Sequence, residues 1–261
     1  MSWSIFPYFA IASILLWTIG AIAAWLNKSR GAYGFTLGGI ALFFVFIFGL
    51  WISQGHPPLQ TMGDTRLWYS ALLPVVGLIV FARRHYRWVL SFSTILATVF
   101  VCVNLFNPEL HTHTLMPALQ SPWFAPHVIV YMFSYALLSV ATLMAVYQLL
   151  TSRTQPQRDR EKLHLAIDDT VRSGLVFLTF GMLFGALWAK EAWGHYWSWD
   201  PKETWAAITW LAYLIYLHYR QMPRHLPFTA LIGLLLCFGL LQMCWWGLNY
   251  LPSATSSVHL Y

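Results

Sequence analysis

Apolar stretches about as long as a bilayer is thick recur along this chain, and that spacing decides what it can fold into. A helix needs about 20 apolar residues to cross the hydrocarbon core. Eight runs approach that length: 6–26, 33–53, 67–82, 88–106, 127–150, 172–190, 202–219 and 227–249. Lipid offers no partner to backbone N–H and C=O groups, so such runs must form helices rather than open strands. Of all residues, 58% are hydrophobic and 9% are charged, against about 25% charged in soluble domains. The first run is too long for a signal-peptide core and has no small-residue cleavage site after it, so it is expected to be retained. These features predict an all-α, polytopic membrane protein of about eight spans. It is expected to be a single domain over 1–261, without a linker-like break or a short repeat.

Basic residues orient the spans, because they gather on the cytoplasmic side. With both termini outside, Lys28, Arg30, Arg83, Arg84, Arg87, Arg153, Arg158, Arg160, Lys162, Arg172, Arg220 and Arg224 all fall inside. Only Arg66, Lys190 and Lys202 fall outside, a split of twelve to three among 15. The net charge of +6 therefore reflects topology and does not point to nucleic acid. The polar stretch 151–170, "TSRTQPQRDREKLHLAIDDT", reads as a solvated cytoplasmic connector. Cys102, Cys237 and Cys244 form neither CxxC nor CxxCH, which argues against covalent haem attachment or thiol exchange and for packing.

The outer segment 191–203 carries the densest chemistry. Within it Trp193, His195, Tyr196, Trp197, Trp199 and Asp200 occupy eight consecutive positions. An aromatic belt at the membrane surface explains isolated rings such as Trp51, Trp68, Trp245 and Trp246. A cluster this dense can form a flat polarizable surface edged with indole N–H donors, suited to a planar amphipathic ligand. Asp200-Pro201-Lys202-Glu203 has the pattern of an N-cap, Pro at N1 and Glu at N3, so Asp200 reads first as a cap and second as a ligand contact. Lys202 is placed either to pair with an acidic group on a ligand or to sit as an interfacial lysine.

Ten histidines sort by topology. His85, His164 and His225 fall among cytoplasmic charges and read as solvated surface. His56, His111, His113, His127, His195 and His259 lie outside. His218 alone lies at membrane depth, near the cytoplasmic end of its span, where an ionisable side chain is either a functional candidate or one that snorkels to the interface beside Tyr219 and Arg220. His127 follows Ala125-Pro126 at the start of the fifth span. There the helix dipole favours neutral imidazole, the form that ligates metals. His127 and His259 share the face of the tryptophan cluster, an arrangement that suits axial ligands to an iron porphyrin. His111-Thr112-His113 has too few further ligands nearby to define a metal site.

"WGHYWSWDPKETW" at 193–205 resembles the WWD signature of the haem-handling proteins of cytochrome c maturation, and "DPKETW" favours the CcsA/ResC branch over CcmC and CcmF. The likeness continues through "WLAYLIYLH" to His218, "APHV" at His127, and "GLNYL" with "VHLY" at His259, covering 123–261 well and 1–110 more loosely. Where the family commonly ends on His-Ser-Tyr, this chain reads His259-Leu260-Tyr261.

The resemblance implies a multi-pass protein of a bacterial inner membrane that acts with a CcsB/ResB-type partner as haem exporter and cytochrome c synthase. Haem b would be the transported ligand. It would bind first at His218 with an opposing ligand from the partner. It would then bind at a periplasmic platform of Trp193, His195, Tyr196, Trp197, Trp199, Asp200 and Lys202, with His127 and His259 as axial ligands. There its vinyl groups would meet the CxxCH thiols of apocytochrome c, and any haem-lyase activity would require the partner. Three other readings stay open: a haem-delivery factor loading a chaperone, a b-haem or quinone electron-transfer subunit, and a scaffold without cofactor.

Overall fold

The structure, a computed structural model, describes residues 1–111, 117–224 and 226–251. Its regular elements among those residues are helical. They are α1 (Phe6–Trp25), α2 (Ser29–Gln54), α3 (Met62–Arg84), α4 (Arg87–Phe106), α5 (Phe124–Thr151), α6 (Gln157–Trp193), α7 (Pro201–Gln221) and α8 (Pro227–Trp245). Short 3-10 turns flank them, including Pro117–Gln120 before α5 and Gly247–Tyr250 after α8.

Seven of the eight helices are long and apolar enough to cross a membrane. The exception is α7, whose 21 residues are rich in Trp, Tyr and Thr, side chains with polar atoms that lower its mean hydropathy. The chain is a polytopic helical membrane protein with an eighth, less apolar helix.

The backbone divides into two compact units, Met1–Met116 and Pro117–Tyr261. In the first, α1 packs on α2, α2 on α3, α3 on α4, and α4 on α1, closing a four-helix ring. The second repeats that plan with α5, α6, α7 and α8. Up-and-down order puts the start of α5, the end of α6, the start of α7 and the end of α8 at one end of the second unit. Its core is made largely by α5, whose buried face includes Tyr131, Tyr135, Leu138 and Met144. Close packing against α6 is set by Gly174, where an added Cβ would meet Leu138 Cδ2 at 2.6 Å and Cγ at 2.8 Å.

The connector expected over 151–170 is mostly helix, since α6 begins at Gln157. Its polar composition hides a helical pattern. Leu163, Ala166, Ile167 and Thr170 are buried at spacings of three and four, and Gln157 donates to Glu161 at 2.9 Å. Such i,i+4 contacts support an exposed helical face.

Candidate functional site

His127 is the fourth residue of α5. Pro126 precedes it in the first turn, where a missing N–H costs nothing because that donor has no intrahelical acceptor. Its Nδ1 lies 2.8 Å from the Gly181 carbonyl of α6. A carbonyl only accepts, so Nδ1 carries the proton and the lone pair is on Nε2, the pattern of a metal-ligating histidine oriented by its neighbour. The ring stacks on Trp188 (5.5 Å between centroids, 28°) and meets Tyr131 edge-on at 4.7 Å. Gly185 makes room for it, because a Cβ there would stand 2.7 Å from His127 Cε1.

From His127 a series of rings runs in two directions. Trp188, 1% exposed, contacts Trp193 at 4.9 Å. On the other side Tyr131 contacts Tyr135 at 5.6 Å, and Tyr135 contacts Trp245 at 5.6 Å. The structure therefore joins His127 to the tryptophan segment through Trp188. Sequence reasoning missed Trp188, Gly181 and Gly185. The available signal was Gly181-x-x-x-Gly185 in an apolar helix, a spacing that lets helices approach closely.

Trp193 belongs to the last turn of α6, so the loop proper starts at Gly194, a C-cap with φ +87°. Lys190 donates from Nζ to the Gly194 carbonyl at 2.8 Å and lies 5.4 Å from the centre of the Tyr196 ring. A cation at a helix C-terminus complements the dipole there. Asp200 is the N-cap of α7 and forms a capping box with Glu203. Glu203 Oε2 accepts from the backbone N–H of Ser198 at 2.7 Å, from its hydroxyl at 3.2 Å, and from the N–H of Asp200 at 3.2 Å. Two buried carboxylates thus hold the loop down.

Between those anchored residues Trp199 is forced to φ +60° and is 71% exposed. A left-handed backbone at a bulky residue costs about 1–3 kcal/mol and persists only when its surroundings impose it. Trp197 and Trp199 meet edge to face, 5.7 Å apart at 86°. The surface is faceted, not the flat plate expected, because edge-to-face geometry suits the ring quadrupoles better than coplanar stacking. The Trp197 indole nitrogen is buried without a hydrogen-bond partner, leaving a donor at the site. His195 and Tyr196 are exposed, and Lys202 is half-buried in the first turn of α7.

His218 lies at the other end of α7, about 26 Å along the helix from Pro201 at 1.5 Å per residue. It is exposed, and its Nδ1 lies 2.9 Å from the Leu214 carbonyl. His259, His113 and His225 lie outside the described residues. His111 stacks on Trp3 at 3.8 Å and 10°, and His56 Nδ1 is 3.3 Å from the Pro57 carbonyl. No cluster of three or more metal-ligating side chains occurs among the described residues.

The model of the cytochrome C assembly protein family matches residues 62–255. The chain belongs to that family. Three plant relatives, each a "Cytochrome c biogenesis protein CcsA", agree with it. That of Pelargonium hortorum is 31% identical over 291 residues, spanning 93% of this chain and 92% of its own. That of Eucalyptus globulus subsp. globulus is 31% identical over 293 residues, spanning 93% and 92%. That of Trachelium caeruleum is 30% identical over 288 residues, spanning 93% and 91%. This CcsA-type protein is therefore a multi-pass membrane protein with a role in cytochrome c maturation. The likeness extends well beyond 123–261, since the family match begins with α3.

Proposed function

We propose that this CcsA-type protein is the haem-translocating and haem-presenting subunit of a cytochrome c synthase, acting with a CcsB/ResB-type membrane partner. The observation that carries the reading is the seating of His127. One carbonyl sets its tautomer, and ring contacts tie it through Trp188 to the tryptophan segment. His127 and His259 would ligate haem b on the outer face. Trp193, Trp197 and Trp199 would supply apolar ring contacts, and Trp197 Nε1 and Lys202 would meet the propionates. Tyr196 and His195 border the site, and Asp200 acts mainly by holding the loop. His218 would capture haem near the inner end of α7, with its opposing ligand from the partner.

Attachment needs no oxidant. A CxxCH thiol of apocytochrome c adds across a haem vinyl group, sulfur bonding to one carbon and the thiol hydrogen going to the other. The chain's contribution is to hold the reacting groups together and to exclude misplacement. The twelve-to-three charge split supports placing the tryptophan loop on the non-cytoplasmic face, the periplasmic side if the membrane is a bacterial inner membrane.

The test replaces each outer ligand separately. His127→Ala and His259→Ala should each abolish cytochrome c maturation, and added imidazole should restore a ligated haem spectrum to the purified variants. A misfolded protein has no coordination position for imidazole to fill. Normal maturation and unchanged spectra in both variants would refute the two-ligand assignment.

A further inference from the structure

A buried ion pair lies at the end of the second unit opposite the tryptophan loop. Arg220 of α7 donates from Nε to both carboxylate oxygens of Asp168 of α6 at 3.0 Å, and from a terminal nitrogen to Oδ2 at 2.8 Å. The Tyr216 hydroxyl donates to Asp168 Oδ1 at 2.8 Å. Only 9% of the Arg220 side chain and 8% of the Asp168 side chain remain exposed. From sequence, Asp168 reads as part of the solvated connector 151–170 and Arg220 as one of the cytoplasmic basic residues.

Stability alone does not explain such a cluster. Desolvation offsets most of the attraction between buried charges, and apolar residues of similar size often do as well or better. Apolar contacts lack direction, however, whereas an Arg–carboxylate fork accepts little rotation. Tyr216 and Arg220 are one turn apart and share the face of α7 that meets α6. His218 lies between them, about 160° around the helix at 3.6 residues per turn. Turning Tyr216 and Arg220 inward therefore turns His218 outward, and it is exposed. The Leu214 carbonyl accepts a hydrogen bond from its Nδ1–H, which puts the lone pair on Nε2.

We propose that Asp168, Arg220 and Tyr216 are positioning residues that lock the rotation of α7 so that Nε2 of His218 is presented to incoming haem iron. The inference rests on the reading of His218 as the haem-capture ligand. A slip of α7 by one residue would turn that nitrogen through about 100°, away from a ligand approaching from a fixed direction.

The experiment titrates ferric haem into the full chain purified with its CcsB/ResB-type partner, in a His127→Ala, His259→Ala background that silences the outer site, and follows both affinity and the low-spin histidine-ligated absorption spectrum. His218→Ala, the double variant Asp168→Leu with Arg220→Met, and Arg220→Lys are each added to that background and compared with it. The double variant should keep its thermal unfolding midpoint yet lose about tenfold in affinity, the usual size of an orienting-shell effect, along with the low-spin signature. Arg220→Lys keeps the charge but loses the fork, and should show the same spectral loss in smaller degree. Native affinity and spectrum in the double variant, with His218→Ala impaired, would overturn the positioning role and leave the capture reading standing. Native behaviour in His218→Ala would overturn both. Should the double variant not fold, Arg220→Lys decides: a native spectrum there refutes the proposal.

Discussion

Replacing Gly185 with alanine tests how His127 is held. The new Cβ would stand 2.7 Å from His127 Cε1 and 2.8 Å from Nδ1, where ordinary contact begins at 3.4 Å. Going from 2.7 to 3.4 Å, the ring must retreat from α6 by about 0.7 Å. Its hydrogen-bond acceptor, Gly181 O at 2.8 Å, is one turn away on the same helix, so that bond would stretch to about 3.5 Å and be lost. Losing it costs about 1 kcal/mol, and overpacking costs about 1–3 kcal/mol more. Alanine's better helix propensity returns about 1 kcal/mol. The net expectation is a destabilisation of about 1–3 kcal/mol, with a larger loss of cytochrome c maturation because the ring is displaced. Gly239→Ala is the control, since nothing lies within 4 Å of its Cβ position, and it should be neutral or slightly stabilising. Thermal unfolding of detergent-purified protein and maturation in cells at matched protein levels provide the measurements. If Gly185→Ala matches Gly239→Ala in both, the seating of His127 is not as described.

Two further outcomes are expected. Glu203→Ala removes the acceptor for three donors around Trp199, which should cost about 1–3 kcal/mol locally and speed hydrogen exchange at the Ser198 and Asp200 amides; unchanged protection would refute the clamp. Reporter fusions after Gln155 and Gly194 should report opposite sides of the membrane, because the single helix α6 separates them; the same side for both would overturn the topology.

Features encoded locally were legible in the sequence. Apolar runs located the helices to within a few residues at most ends, and the Asp200-Pro201-Lys202-Glu203 pattern identified a cap that the structure contains. Features that depend on distant partners were not legible. Asp168 looked like surface until Arg220, 52 residues later, closed over it. Trp188 looked like one more membrane tryptophan until α5 brought His127 onto it. Residues 157–170 were misread because charge density outweighed a weak helical period. The tryptophans were evident, but their mutual angles arise from a backbone that Glu203 bends and no composition rule supplies.

α7 carries the capped tryptophan loop at one end and His218 near the other. A continuous helix is a ruler with a fixed graduation, about 1.5 Å and 100° per residue. Neither end can approach the other, so under the proposed function haem passing between them would cover roughly 26 Å by its own movement. The same rigidity makes length and angle inseparable. Adding one residue in mid-helix would shift the spacing trivially but swing His218 by over a quarter turn relative to the loop, whereas adding seven would nearly restore the bearing. Relatives that differ in length here should therefore differ by whole turns.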